Sequence, residues 1–233
     1  FPKTQFVNGQ KIMLSAREIK TTDEINCMKL AYAISEAGLQ AAVDILRPGV
    51  RECELVGECL RKMSDFGSEV AQCSEVVNSG PGSYPYRRFH TDRIVQHGDF
   101  VNMDFGGCFS GYFADFCRTF VCGGNPTPVQ SDLLKQAYDL QMQSLTSIKP
   151  GVTPAELCAK FGRQMIGHGL GISAFEGPHM RASDTYELKP GMTFSIVTPL
   201  VGKDGIGGVH LEDEIVVTES GIDLYSTYPY TLN

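Results

Sequence analysis

The stretch VNMDFGGCFSGYFADFCRTF, residues 101–120, reads as a β-hairpin with two largely apolar strands, yet it carries Asp104 and Asp115. A buried carboxylate is costly unless a positive charge offsets it. Arg118 is the single cation within the stretch. With the loop centred on Phe109-Ser110, the two aspartates fall opposite each other across the strand pair. Like charges so placed repel, and a divalent cation between them reverses the sign. Two later stretches bring further ligand types: MIGHGLG (165–171) carries His168, and GGVHLEDEIVVTESG (207–221) carries Glu212 and Asp213. Asp104, Asp115, His168 and Glu212 together make an oxygen and nitrogen set for one or two divalent ions. Asp213 reads as a supporting group, and Arg118 as the partner of a nearby carboxylate.

The elements that must position these residues are legible from caps and periodicity. The run TTDEINCMKLAYAISEAGLQAAVDILRPG opens on a Thr21/Glu24 capping box and ends at Pro48-Gly49, as a long amphipathic helix does. A second helix over about 51–66 stops at Gly67, and strand-like runs follow at about 70–77, 99–106 and 112–121. Thr127-Pro128 starts another long helix that ends at Pro150-Gly151, and Thr153-Pro154-Ala155-Glu156 caps a short one. From about residue 171 onward the pattern is strands and turns. This order predicts an α+β fold with helices on one face of a mostly antiparallel sheet. LRPGVRECEL (46–55) and IKPGVTPAEL (148–157) share one pattern, each between a long and a short helix. The match predicts two similar halves with a site between them. GKDGIGG (202–208) lacks the Lys-Ser/Thr of a phosphate loop and reads as a hairpin turn.

The 233 residues suffice for one large domain or two small ones, and 42% hydrophobic content supports a substantial core. A net charge of −7 and a pI near 5.2 argue against nucleic acid and anionic membranes as partners. No apolar run is long enough to span a bilayer, and no signal-peptide pattern opens the chain. It begins Phe1-Pro2-Lys3, which suggests a processed or trimmed fragment. Eight cysteines without any CxxC read as reduced, buried thiols of a cytoplasmic protein.

The ordered motifs Asp104, Asp115 with Arg118-Thr119, Gly-His-Gly-x-Gly (167–171) and Gly-Gly-Val-x-x-Glu-Asp (207–213) resemble the creatinase / Xaa-Pro peptidase / methionine aminopeptidase superfamily. REIKTTDEINCMKLA (17–31) is similar to the junction before the catalytic domain in its Xaa-Pro peptidase and creatinase branch. The resemblance implies a pita-bread fold: two pseudo-symmetric halves with helices packed on a curved, mostly antiparallel sheet. It implies a junction over residues 1–16 and a catalytic-type domain over 17–233, with halves at about 21–122 and 127–224. It further implies Asp104 on one metal, Asp115 and Glu212 bridging two, and His168 on the second. The ions expected are Mn, Co, Fe or Zn.

Several positions depart from the family pattern. GMTFSIVTP (191–199) has Val197 or Thr198 where a metal-binding Glu is usual, and Phe175 stands where a His usually precedes Glu-x-Pro. Phe cannot donate a hydrogen bond to substrate or to a developing oxyanion. A third family His aligns with Arg87, with His90 nearby, and His210 replaces a usual Arg. Arg87 could clamp an anion bidentately, so Arg87, His90 and His210 are the candidate catalytic groups. AKFGRQMIGHG is shorter than usual by about a helix turn or a loop. The expectation is a metal-dependent hydrolase of a small amide, amidine or short peptide. The alternatives are a lyase or amidohydrolase on the same fold, or a binding module with a decayed site. Homodimers are common on this scaffold, so a second copy of the chain is an expected partner.

Overall fold

The computed structural model describes residues 1–70, 76–84, 89–203 and 205–230. Five helices are present among them: α1 (Gln10–Ala16), α2 (Thr22–Asp44), α3 (Glu52–Asp65), α4 (Pro128–Ser147) and α5 (Pro154–Phe161). The starts of α2, α4 and α5 lie where the sequence placed them. In each a threonine accepts from the backbone of the third helical residue while that residue's side chain caps back, at Thr21/Glu24, Thr127/Gln130 and Thr153/Glu156. The two Pro-Gly turns are alike as well. Gly49 has φ 95° and Gly151 φ 84°, a left-handed conformation that glycine adopts without steric cost. α1 occupies the segment expected to be a plain junction, and its Leu14 lies against Gly177.

The strands are β1 (Val76–Ser79), β2 (Phe100–Phe105), β3 (Cys108–Phe109), β4 (Tyr112–Phe113), β5 (Phe116–Val121), β6 (Met165–Gly169), β7 (Glu176–Arg181), β8 (Thr193–Val201), β9 (Gly208–Val217) and β10 (Ile222–Leu224). The main sheet runs β1-β2-β5-β9-β8-β6-β7, with β10 on β9, and its pairings are all antiparallel. Of the strand run expected at 70–77, residues 71–75 lie outside the described residues, and β1 starts at Val76. The 112–121 run divides into β4 and β5. Between α5 and β6 the chain needs only a short turn opened by Gly162 in the left-handed region, which accounts for the short AKFGRQMIGHG segment.

Alternation across the strands separates two faces. Val101, Met103, Phe105 and Phe116 face the helices and form one core with Met28, Tyr32 and Leu39 of α2 and Leu55 and Met63 of α3. α2 and α3 pack closely at Gly38, where a Cβ would sit 2.6 Å from Met63 Cγ. A second core joins Leu145 of α4 and Leu157 of α5 to Phe194, Ile196, Ile215 and Val217. The other face carries Asn102 opposite Thr119, Asp104 opposite Cys117, and Cys117 in turn opposite Glu212. Chemistry-bearing residues thus line the face the helices do not cover.

Candidate metal centre

Asp104 and Asp115 do not pair across the hairpin. Its turn sits at Ser110-Gly111, so Asp104 faces Cys117 and Asp115 lies just ahead of β5. Both turn residues have positive φ, 52° and 78°, as a tight two-residue hairpin turn requires. The register therefore differs from the expected one by two residues. A two-residue shift keeps every side chain on its face, so the aspartates still point the same way.

Two groups of buried ligand-type residues result. In one, ligand atoms of Asp115, His168 and Glu212 all lie within 4.8 Å of one another; in the other, those of Asp104, Cys117 and His210 do. His168 Nε2 is 3.4 Å from Glu212 Oε1 and 3.7 Å from Asp115 Oδ2. His210 Nε2 is 3.3 Å from Glu212 Oε2. Glu212 therefore turns one oxygen toward each group. Its Oε1 also accepts from Ser195 Oγ at 2.5 Å, from the neighbouring strand β8. His168 Nδ1 sits 3.2 Å from the carbonyl of Gly169, which leaves Nε2 for the cluster.

Burial opposes ionisation of Glu212, but its hydrogen bonds and charge interactions with His168 and His210 together outweigh burial and hold the carboxyl well below its usual range. Cys117 behaves in the opposite way: burial, then the Asp104 and Glu212 carboxylates, push its thiol well up. Burial also raises the Glu214 carboxyl, which shares the face of Glu212. Three carboxylates and two imidazoles gathered in a water-poor place suit a divalent cation, whose charge offsets theirs. On donor chemistry, the residues fit metal.

The other face holds the frame. Arg118, 1% exposed, pairs with Asp213 Oδ1 at 2.7 Å and donates to the carbonyls of Cys117 and Glu212. Asp213 Oδ2 accepts from Gln141 Nε2 of α4 at 2.7 Å and from the Tyr230 hydroxyl. Arg118 meets a carboxylate, and that carboxylate, Asp213, belongs to neither ligand cluster.

Strand pairing also distinguishes Val197 from Thr198. Val197 faces Glu212 on the site side, whereas Thr198 Oγ1 donates to Gln141 Oε1 on the helix side. Val197 therefore occupies the place where another carboxylate would have met Glu212. Phe175 stacks on the His168 ring with centroids 4.3 Å apart. The adjacent Glu176 is held by Lys20 and Arg17, each at 3.1 Å, so this ion group fixes the loop that carries Phe175.

Of the catalytic candidates, His210 joins the site and Arg87 lies outside the described residues. His90 is half-buried on the loop that Glu52 anchors through Thr91, and it is in neither cluster. Cys117 is the residue that sequence reasoning missed among eight scattered cysteines. Its signal was present: two residues after Asp115 on a strand is the same face. The seven described cysteines are all free thiols.

The family model for metallopeptidase family M24 matches residues 26–219. The chain belongs to this family. Its similarity to an uncharacterised peptidase, YqhT of Bacillus subtilis, is 31% identity over 88% of this chain and 61% of that protein. It is 28% identical to a Xaa-Pro dipeptidase of Pyrococcus furiosus over 93% of this chain and 65% of that one, so the chain spans under two thirds of both relatives' length. Among solved structures, a prolidase from Pyrococcus horikoshii superposes with TM-score 0.88 at 27% identity, covering 96% of this chain and 67% of that one. An X-Pro aminopeptidase from Thermotoga maritima gives TM-score 0.90 at 25% identity, covering 99% and 68%. The α+β sheet with its five described helices is the M24 pita-bread fold. Divalent metals are typical of M24 chains, and two buried clusters of metal-ligand type are present among the described residues of this one. No described helix is long and apolar enough to cross a membrane.

Proposed function

We propose that this M24 chain is a metal-dependent hydrolase of short peptides or other small amides, with Asp115, His168 and Glu212 as the core of its metal site. The observation that carries the reading is the convergence of their three ligand atoms within 4.8 Å at buried positions. Asp104 extends the set, and Glu212 serves both sides through its two oxygens. A bound divalent ion supplies Lewis-acid polarisation of a carbonyl and a nucleophile at neutral pH. Ser195 fixes the Glu212 carboxylate, and the Gly169 carbonyl orients the His168 ring. Phe175, half exposed above His168, shields that ring from water and offers substrate an apolar surface without a hydrogen bond. Xaa-Pro dipeptides are the first substrates to try, because relatives carry that name. The changes at Val197 and Phe175 favour other small amides alongside them.

The test uses protein purified without chelator. Elemental analysis is expected to find one or two divalent ions per chain in wild type and fewer in Asp115→Ala, with loss of turnover on dipeptides and amides. Equal metal content in both proteins, or turnover that survives complete metal removal, overturns the reading.

A further inference from the structure

We propose that Asp104, Cys117 and His210 form a thiolate–imidazole–carboxylate site of their own, selective for zinc-class ions and sharing Glu212 with the neighbouring cluster. The inference rests on the metallohydrolase reading above and adds to it a ligand set containing sulfur. Asp104, Cys117 and Glu212 stand in one row across β2, β5 and β9, because Cys117 is the registered partner of both. His210 precedes Glu212 by two residues and so shares its face. Ligand atoms of Asp104, Cys117 and His210 converge within 4.8 Å, at 5%, 0% and 6% exposure. Tetrahedral zinc, with bonds of about 2.0–2.3 Å to nitrogen, oxygen and sulfur, needs donors roughly 3.5 Å apart. Small side-chain rotations close that gap.

The ligands are also braced. The backbone N–H of His210 donates to Thr119 Oγ1 at 2.9 Å, and Arg118 Nη1 holds the carbonyls of Cys117 and Glu212 at 2.9 and 2.8 Å. Such bracing from behind is what keeps a ligand set in geometry. A Cys-His-Asp nucleophile is the competing use of these residue types. It requires an accessible sulfur, and Cys117 is 0% exposed. Thiolate and imidazole together select zinc or cobalt over manganese or magnesium, which prefer oxygen. On binding, a sulfur–metal bond forms and the Cys117 thiol proton leaves to solvent.

The experiment titrates the chelator-stripped chain with Co(II) alone, reading thiolate-to-cobalt charge-transfer absorption in the near ultraviolet, proton release and metal stoichiometry. Wild type is expected to show the band. Cys117→Ser is expected to lose the band, release one proton fewer and bind cobalt about tenfold more weakly or worse. Asp115→Ala is expected to keep the band. Cobalt bound by wild type without a band, or a band that survives Cys117→Ser, overturns the sulfur site and leaves the metallohydrolase reading standing. No cobalt bound at all overturns both. Since the wild-type spectrum alone can refute the proposal, a poorly folding variant does not protect it.

Discussion

Asp213→Asn removes the negative charge against which Arg118 is buried. The guanidinium is 1% exposed and its partner 0%, so water cannot take the place of the lost charge. Breaking one side of a buried pair costs about 3–5 kcal/mol, because the remaining charge is stranded. Three contacts soften the loss: Arg118 keeps the carbonyls of Cys117 and Glu212, and asparagine retains one oxygen. The far side of the carboxylate worsens it, since Gln141 Nε2 and the Tyr230 hydroxyl both donate to Asp213 Oδ2, where an amide –NH2 would face both donors. The expected cost is therefore about 3–4 kcal/mol, or roughly 6–16 °C in Tm for a chain of this size. Thermal unfolding of the metal-free protein at pH 7, followed by circular dichroism, measures it. The double variant Arg118→Met/Asp213→Leu is expected to recover part of the loss, because no charge is then buried. An Asp213→Asn protein melting within about 2 °C of wild type would refute the reasoning.

Val197→Glu places a carboxylate opposite Glu212 on the site face of β8. It is expected to raise metal affinity at the Asp115–His168–Glu212 cluster by about tenfold or more, read by competitive chelator titration; unchanged affinity would count against that cluster as a ligand set. Glu24 closes the cap of α2 and accepts from the Tyr112 hydroxyl. Burial would raise its carboxyl, but the Thr21 backbone and side chain and the Tyr112 hydroxyl lower it below its ordinary value. The unfolded chain then binds the proton first as pH falls, so this contribution is present above about pH 4.3 and is lost as pH drops through the lower folded value. Glu24→Gln is expected to cost about 1 kcal/mol at pH 7 and nothing near pH 2, measured by urea unfolding; a cost that does not vary with pH would refute the assignment.

Local chemistry was the most legible part of the chain. Thr21, Thr127 and Thr153 announced three helices because a cap is written within four residues. Asp104, Asp115, His168 and Glu212, picked out by residue type and motif order, all fall within the two buried ligand-type groups. What escaped depended on register. β2 and β5 are buried on both faces, so apolar alternation gives no guide to which residues pair. The positive φ values at Ser110 and Gly111 decide it instead, and they bring Cys117 rather than Asp115 opposite Asp104. The same limit left Val197 and Thr198 equivalent until β8 was seen against β9. α1 escaped for a different reason: it buries no residue, so it lacks the periodic stripe that marks a helix.

The meeting of β5 and β9 is unusual in its economy. One registered pair, Cys117 with Glu212, joins them, while Arg118 and Thr119 reach across to the backbone of β9 at Glu212 and His210. Apolar packing crosses that line: Val216 of β9 belongs to the core of β2 and β5, and Phe100 of β2 packs with Val209 and Leu211 of β9. Asp104, Asp115 and Cys117 come from one side, and His168, His210 and Glu212 from the other. The line is thus a seam held by side chains and apolar packing, with one registered backbone pair as its rung. An ion bound there acts as a clasp. Its departure should register as faster amide exchange along the seam.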